Sequence, residues 1–132
     1  MMSAWNVTLT PPPSWNNSYR IGRASRTRPD GSSHAYSTII KKQKLIDWQT
    51  DHLKVVRSAK PSHWKPEGWI RIYWKVFLRR HIDMDNLQKA VNDVIEMATG
   101  IDDKWYLPIF ETEPVIGVPA REARVELLIM AE

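Results

Sequence analysis

The sequence predicts an α+β protein: a mixed β-sheet with two main helices packed on it, in the order β-α-β-α-β-β. Three observations carry this reading. Residues 69–80 alternate apolar and polar side chains, as a half-buried strand does. Residues 86–99 carry an apolar stripe at helical spacing. Strand-patterned and helix-patterned segments then alternate along the chain, and two strand patterns follow each other at its end. With 132 residues, 42% of them hydrophobic, residues 1–132 are expected to form a single domain with one modest core. A chain this short often adds a subunit interface to its buried area.

The first strand covers residues 3–10, with Trp5, Val7 and Leu9 on one side. The prolines of "PPPSWNNSYR" stop it, because proline offers no N–H to a ladder. The following "IGRASRTRPDGSS" is polar, basic and rich in turn residues, so 11–33 is expected to be a long surface loop. Residues 34–57 hold no Gly or Pro and place Tyr36, Ile39, Ile40, Ile46, Leu53 and Val56 at roughly helical intervals, which predicts a long helix. Residues 58–68 connect it to the strand at 69–80, where Ile70, Ile72, Trp74, Val76 and Leu78 share one face. The second helix, 86–99, buries Leu87, Ala90, Val91, Val94, Ile95 and Ala98. Asp85 is its expected N-cap, Gln88 completes a capping box and Gly100 is the C-cap. "KWYLPIFETE" and "REARVELLIMAE" read as two strands joined by "PVIGVPA".

Composition narrows function. The net charge is +4 and the pI about 9.5. Residues 1–60 hold ten Lys and Arg against three Asp, a balance of +7. Residues 61–132 hold nine against twelve Asp and Glu, a balance of −3. A basic half suggests a polyanion, and the acidic half a cation. The seven tryptophans serve a core or a dimer contact, with one or two able to stack on bases. No cysteine is present, which excludes a disulfide framework and a thiolate metal site and fits a reducing interior. Nothing in the sequence reads as a signal peptide or a membrane-crossing segment.

The acids stand in two clusters at the ends of the second helix: Asp83 and Asp85 before it, Asp102 and Asp103 after it. In an extended segment i and i+2 point the same way, so Asp83 and Asp85 can present two carboxylates to one point. Mg²⁺ takes such oxygen ligands, one or two carboxylates with water and substrate phosphate. Lys89, one turn after Asp85, could stabilise charge on a phosphate under attack. Each residue also has an ordinary explanation: a helix cap, an i, i+4 pair of about 0.3–0.5 kcal/mol, a polar turn. The arginines Arg20, Arg23, Arg26 and Arg28, with Arg79 and Arg80 flanking the first acid pair, are better explained if a polyphosphate approaches a metal there. The four histidines show no ligand spacing. His34, His52 and His63 read as surface groups, and His81 could contact substrate.

The stretch "DMDNLQKAVNDVIEMATGIDD" closely resembles the RusA family of Holliday junction resolvases, whose signature is D-x-D-N-L-x-K, a helix, then a D-D pair. Asp83, Asp85, Asn86, Leu87, Lys89, Asp102 and Asp103 fit at family spacing. "PPPSWNNSYR" is similar to that family's proline-plus-asparagine opening, with Asn16, Asn17 and Tyr19. The specific match covers about 30 residues; 22–33 and 58–68 match nothing in the family pattern. The resemblance implies a homodimeric, Mg²⁺-dependent endonuclease (Mn²⁺ a possible substitute) that nicks four-way DNA junctions, in a cytoplasmic setting, bacterial or phage-encoded. It implies Asp83, Asp85 and Asp103 as metal-binding carboxylates, with Asp102 as a further candidate ligand, and Lys89 as the essential basic residue. Arg20, Arg23, Arg26, Arg28, Arg79, Arg80, Asn16 and Asn17 are the expected DNA contacts. The alternatives are a DNA-binding dimer without catalysis and a nuclease that prefers flaps or forks.

Helix length adds a constraint. Fourteen helical residues span about 21 Å. Asp103 lies four residues past Thr99, a reach of only about 13 Å. An intact helix therefore keeps Asp103 from Asp83 and Asp85 of its own chain. A twofold axis near the helix would bring Asp103 of one protomer beside those of the other, giving two composite sites per dimer.

Overall fold

The computed structural model describes residues 2–132; the side chains of Trp15, Asn16 and Ala24 are outside that description. The fold is α+β, two main helices with a mixed five-stranded sheet, and a separate two-stranded ribbon stands beside it. The elements are β1 (Ser3–Leu9), α1 (Trp15–Ser18), β2 (Tyr19–Thr27), β3 (Ser33–Lys41), α2 (Gln43–Ala59), β4 (Ile70–Leu78), α3 (Met84–Thr99), β5 (Tyr106–Phe110), β6 (Val115–Ile116) and β7 (Arg124–Ala131). Short 3-10 turns precede β5 and β7.

The sheet order is β1-β7-β4-β5, with β6 also paired to β4. β7 runs antiparallel to both β1 and β4, whereas β5 and β6 run parallel to β4. A parallel pair needs a crossover, and α3 supplies it between β4 and β5. The strand face predicted to be buried is buried: Ile70, Ile72, Trp74, Val76 and Leu78 of β4 join Trp5, Val7 and Leu9 of β1 and Val125, Leu127 and Ile129 of β7. Leu87, Val91, Val94 and Ile95 of α3 and Leu45, Trp48 and Val56 of α2 complete the same core. Among the described residues, no helix is long and apolar enough to cross a membrane.

Several expectations need correction. The tract 11–33 is not a loop, and the helix expected over 34–57 starts only at Gln43. Residues 19–41 instead form an antiparallel ribbon, β2 against β3, in register from Tyr19↔Lys41 to Thr27↔Ser33. The β-branched and aromatic residues of 34–41 favour a strand once a partner strand lies alongside. Most of the ribbon is exposed, so no inside-outside alternation marks it in the sequence. Its turn is closed by Asp30, which accepts hydrogen bonds from the Ser32 amide (2.8 Å) and hydroxyl (2.6 Å). At Gly22 the Ile40 side chain crosses the ribbon where a Cβ would stand, so glycine permits that close approach. The last two long strands do not pair with each other; β5 and β7 flank β4 on opposite sides. The "PVIGVPA" joint contains β6.

His52 is more than a surface group. The Thr10 amide donates to its Nε2 (3.2 Å), its Nδ1 lies 2.7 Å from the Trp48 carbonyl, and its ring stacks on Trp48. These contacts pin the end of β1 to α2.

Candidate metal centre and nucleic-acid interface

β4 ends at Leu78, and Arg79, Arg80 and His81 follow it, all exposed. The chain then turns into α3 at Asp83. Asp83, not Asp85, is the N-cap: its Oδ1 accepts from the Asp85 amide (2.9 Å) and the Asn86 amide (3.4 Å). The segment is therefore a capping turn rather than the extended piece expected, and Gln88 is not at the capping-box position. Asp85 instead sits in the first helical turn, where the helix dipole favours a carboxylate. Both aspartates are exposed.

The ordinary i, i+4 pairing of Lys89 with Asp85 is not what the structure shows. Among the described residues, Lys89 makes no ion pair with Asp85. Its ammonium lies 5.0 Å from the centre of the Tyr19 ring, at the root of the ribbon. One turn further along α3, Asp93 pairs with Lys41 (3.4 Å). Lys41 also donates to Gln49 Oε1 (2.9 Å), and the buried Gln49 amide donates to the Ala90 carbonyl (3.3 Å). The ribbon root, α2 and α3 are thus tied together beside Lys89. Burial, and after it the Asp93 carboxylate, push the Tyr19 phenol above its ordinary range.

The second acid cluster lies at the other end of α3. Gly100 ends the helix with φ 74°, a left-handed conformation that glycine takes without strain, and its amide returns to the Glu96 carbonyl (2.7 Å). Asp102 Oδ1 accepts from the Lys104 amide (2.9 Å), and Asp102 and Asp103 are exposed. Glu96 faces this cluster: desolvation, then Asp102, Asp103 and Asp93, raise its carboxyl above the ordinary range. Glu96 and Asp93 read in the sequence as plain solvated residues. The partner of Asp93, Lys41, is distant in sequence, so no local pattern marks that pair. Trp69 and Trp105, exposed and in edge-to-face contact (5.3 Å), stand beside the same cluster.

The two acid clusters do not meet in one chain. α3 has 16 residues, a length of about 24 Å. The parallel register gives the same answer independently: Tyr106 pairs with Ile70 at the start of β4, whereas Asp83 follows the end of β4. The nine residues of β4 separate the two ends by about 26 Å. Among the described residues, no three acidic or histidine side chains come together to enclose a metal. Chemically the donor set suits a hard cation: exposed carboxylates, with Asp85 and Asp103 engaged in no side-chain hydrogen bond or ion pair among the described residues. An open cleft lined by Met84, Gln88 and the 110–114 segment, which carries Glu111 and Glu113, adjoins the start of α3.

The expected DNA contacts fall on two surfaces. Arg20, Arg23, Arg26 and Arg28 lie on the ribbon or at its turn and are exposed, with Arg26 over the Tyr36 ring (5.5 Å). Arg79 and Arg80 lie at the end of β4, next to Asp83. Asn17 is exposed in α1 and donates to the Ser14 hydroxyl (3.1 Å). Asn16 belongs to the side chains outside the description. No protein-family model and no curated protein matches the chain.

Proposed function

We propose that the chain is a Mg²⁺-dependent endodeoxyribonuclease that acts as a homodimer on branched DNA, resolving Holliday junctions or related structures in recombination and repair. The observation that carries this reading is the D-x-D-N-L-x-K motif at a strand end and helix start, with Asp85 and Lys89 exposed and Arg79 and Arg80 just before it. Asp83, Asp85 and Asp103 are the metal ligands in this reading, with Asp102 as a further candidate. Bound Mg²⁺ (or Mn²⁺) would supply Lewis-acid stabilisation of the phosphate. Water forms the new bond to phosphorus while the bridging P–O bond breaks. Lys89 offers positive charge to the oxygens that gain it. Because the two acid clusters lie at opposite ends of β4 and α3, the site needs a second protomer, whose Asp103 joins Asp83 and Asp85. The exposed ribbon, about 27 Å long, carries arginines out to a DNA arm.

The capping role of Asp83 favours a second reading, a DNA-binding dimer in which the aspartates only shape the helix start. A synthetic four-way junction incubated with Mg²⁺, with EDTA, and with the Asp85→Asn variant separates the two. The nuclease reading expects nicks in Mg²⁺ alone and none from Asp85→Asn. Binding without cleavage in Mg²⁺ or Mn²⁺ favours the second. Flaps and forks assayed beside the junction define the preferred branch.

A further inference from the structure

We propose that Tyr19 is a positioning residue for Lys89, holding its ammonium on the ring face so that it stays out of an ion pair with Asp85. What this does for catalysis rests on the nuclease reading above; the contact itself does not. Tyr19 and Lys41 are the first cross-strand pair of the ribbon, and directly opposed residues share a face. Both reach α3, on successive turns: Tyr19 to Lys89 (5.0 Å to the ring centre) and Lys41 to Asp93 (3.4 Å).

The consequence follows from the choices open to Lys89. On a helix its neighbours are Asp85 at i−4 and Asp93 at i+4. Lys41 already occupies Asp93. Without the ring, the freed lysine would turn to Asp85, neutralising both the cation and a carboxylate assigned to metal. A ring face attracts the ammonium through its quadrupole and consumes no carboxylate. Tyr19 is only 5% exposed, so the ring is itself fixed by packing. Burial and Asp93 also favour the neutral phenol. Tyr19 begins the strand that carries Arg20, Arg23 and Arg26. The polyanion grip and the lysine are thereby attached to one piece of structure.

The test begins with reductive ¹³C-dimethylation of the lysines, which keeps their charge. The Lys89 signal, assigned by its loss in Lys89→Arg, is expected upfield of the exposed lysines because a ring face shields it. Tyr19→Phe should retain the shift, and Tyr19→Leu should abolish it. On saturating four-way junction with Mg²⁺, Tyr19→Leu should lower the single-turnover rate by about tenfold or more. Tyr19→Phe should stay close to the parental rate, and junction Kd should be unchanged in both. An unshifted Lys89 signal in the parent, or loss of the shift in Tyr19→Phe, overturns the proposal even if Tyr19→Leu does not fold. So does a full rate in Tyr19→Leu when Lys89→Ala is inactive. If the parent itself nicks no DNA, the nuclease reading fails and the spectrum alone decides the contact.

Discussion

Asp83 is asked to do two things, cap α3 and hold a cation, and substitution separates them. Its Oδ1 accepts two amides at the helix start. Asp83→Asn keeps an oxygen at the cap and removes the charge; Asp83→Ala removes both. Loss of an N-cap acceptor costs about 1 kcal/mol, within roughly 0.5–2. Loss of a negative charge at a helix N-terminus costs about 0.3–1 kcal/mol. At a melting entropy of about 2.1 cal/mol/K per residue, 1 kcal/mol in this chain shifts Tm by about 4 °C. In EDTA, at one fixed protein concentration, Asp83→Asn should therefore melt about 1–4 °C below the parent and Asp83→Ala about 4–7 °C below it. Adding Mg²⁺ should raise the parental Tm, because a ligand of the native state stabilises it, and should raise neither variant to the same extent. Both variants should fail to nick a four-way junction. Equal melting of the Asn and Ala variants would refute the capping argument. Mg²⁺-dependent nicking by Asp83→Asn would leave the residue as a cap and remove it from the metal site.

Other expectations follow from the same geometry. Desolvation raises the Tyr106 phenol far above its ordinary value, and its hydroxyl donates to the Ile101 carbonyl (2.8 Å). The folded state thus keeps this proton after the unfolded chain has lost it. Its contribution to stability is intact below the ordinary value near 10 and is lost as pH rises beyond it. Denaturant unfolding between pH 9 and 11 should accordingly show a shallower loss in Tyr106→Phe, by about one proton. Gly100→Ala forces a Cβ into the left-handed region and should cost about 1 kcal/mol, seen as a Tm lower by about 4 °C. Replacing Arg20, Arg23, Arg26 and Arg28 with Gln should reduce the slope of log K against log salt for junction binding by up to about 4, with nicking preserved once DNA is saturating.

The parts of the fold that were legible are those with strong periodicity and a buried face. β4 alternates, and β7 is marked by its apolar run, of which every second residue is buried. α3 keeps its stripe and its Gly100 stop, so its place beside the sheet followed from residue order alone. The ribbon was not legible because it buries little. Its strands lack alternation, and the run from His34 to Lys41 merges with the start of α2 without a Gly or Pro. The helix start slipped by two residues because both aspartates of the motif are good caps, and only the amide partners decide between them. In the candidate site, the separation of Asp103 from Asp83 was readable from helix length, and the β4–β5 register agrees with it. The partners of Lys89 and Asp93 were not readable, because Tyr19 and Lys41 approach them from far away in the chain.

If the nuclease site is shared between two protomers, as proposed, inactive subunits should complement one another. Asp83→Asn and Asp103→Asn chains would be unfolded together, refolded as a mixture and supplied with a four-way junction and Mg²⁺. About half of the dimers formed at random are mixed, each with one doubly substituted and one intact site if the clusters are shared across the twofold axis. Each variant alone should be inactive, and the mixture should recover nicking of a single strand per junction. A mixture as inactive as its components, although mixed dimers form and bind the junction, would contradict the shared site.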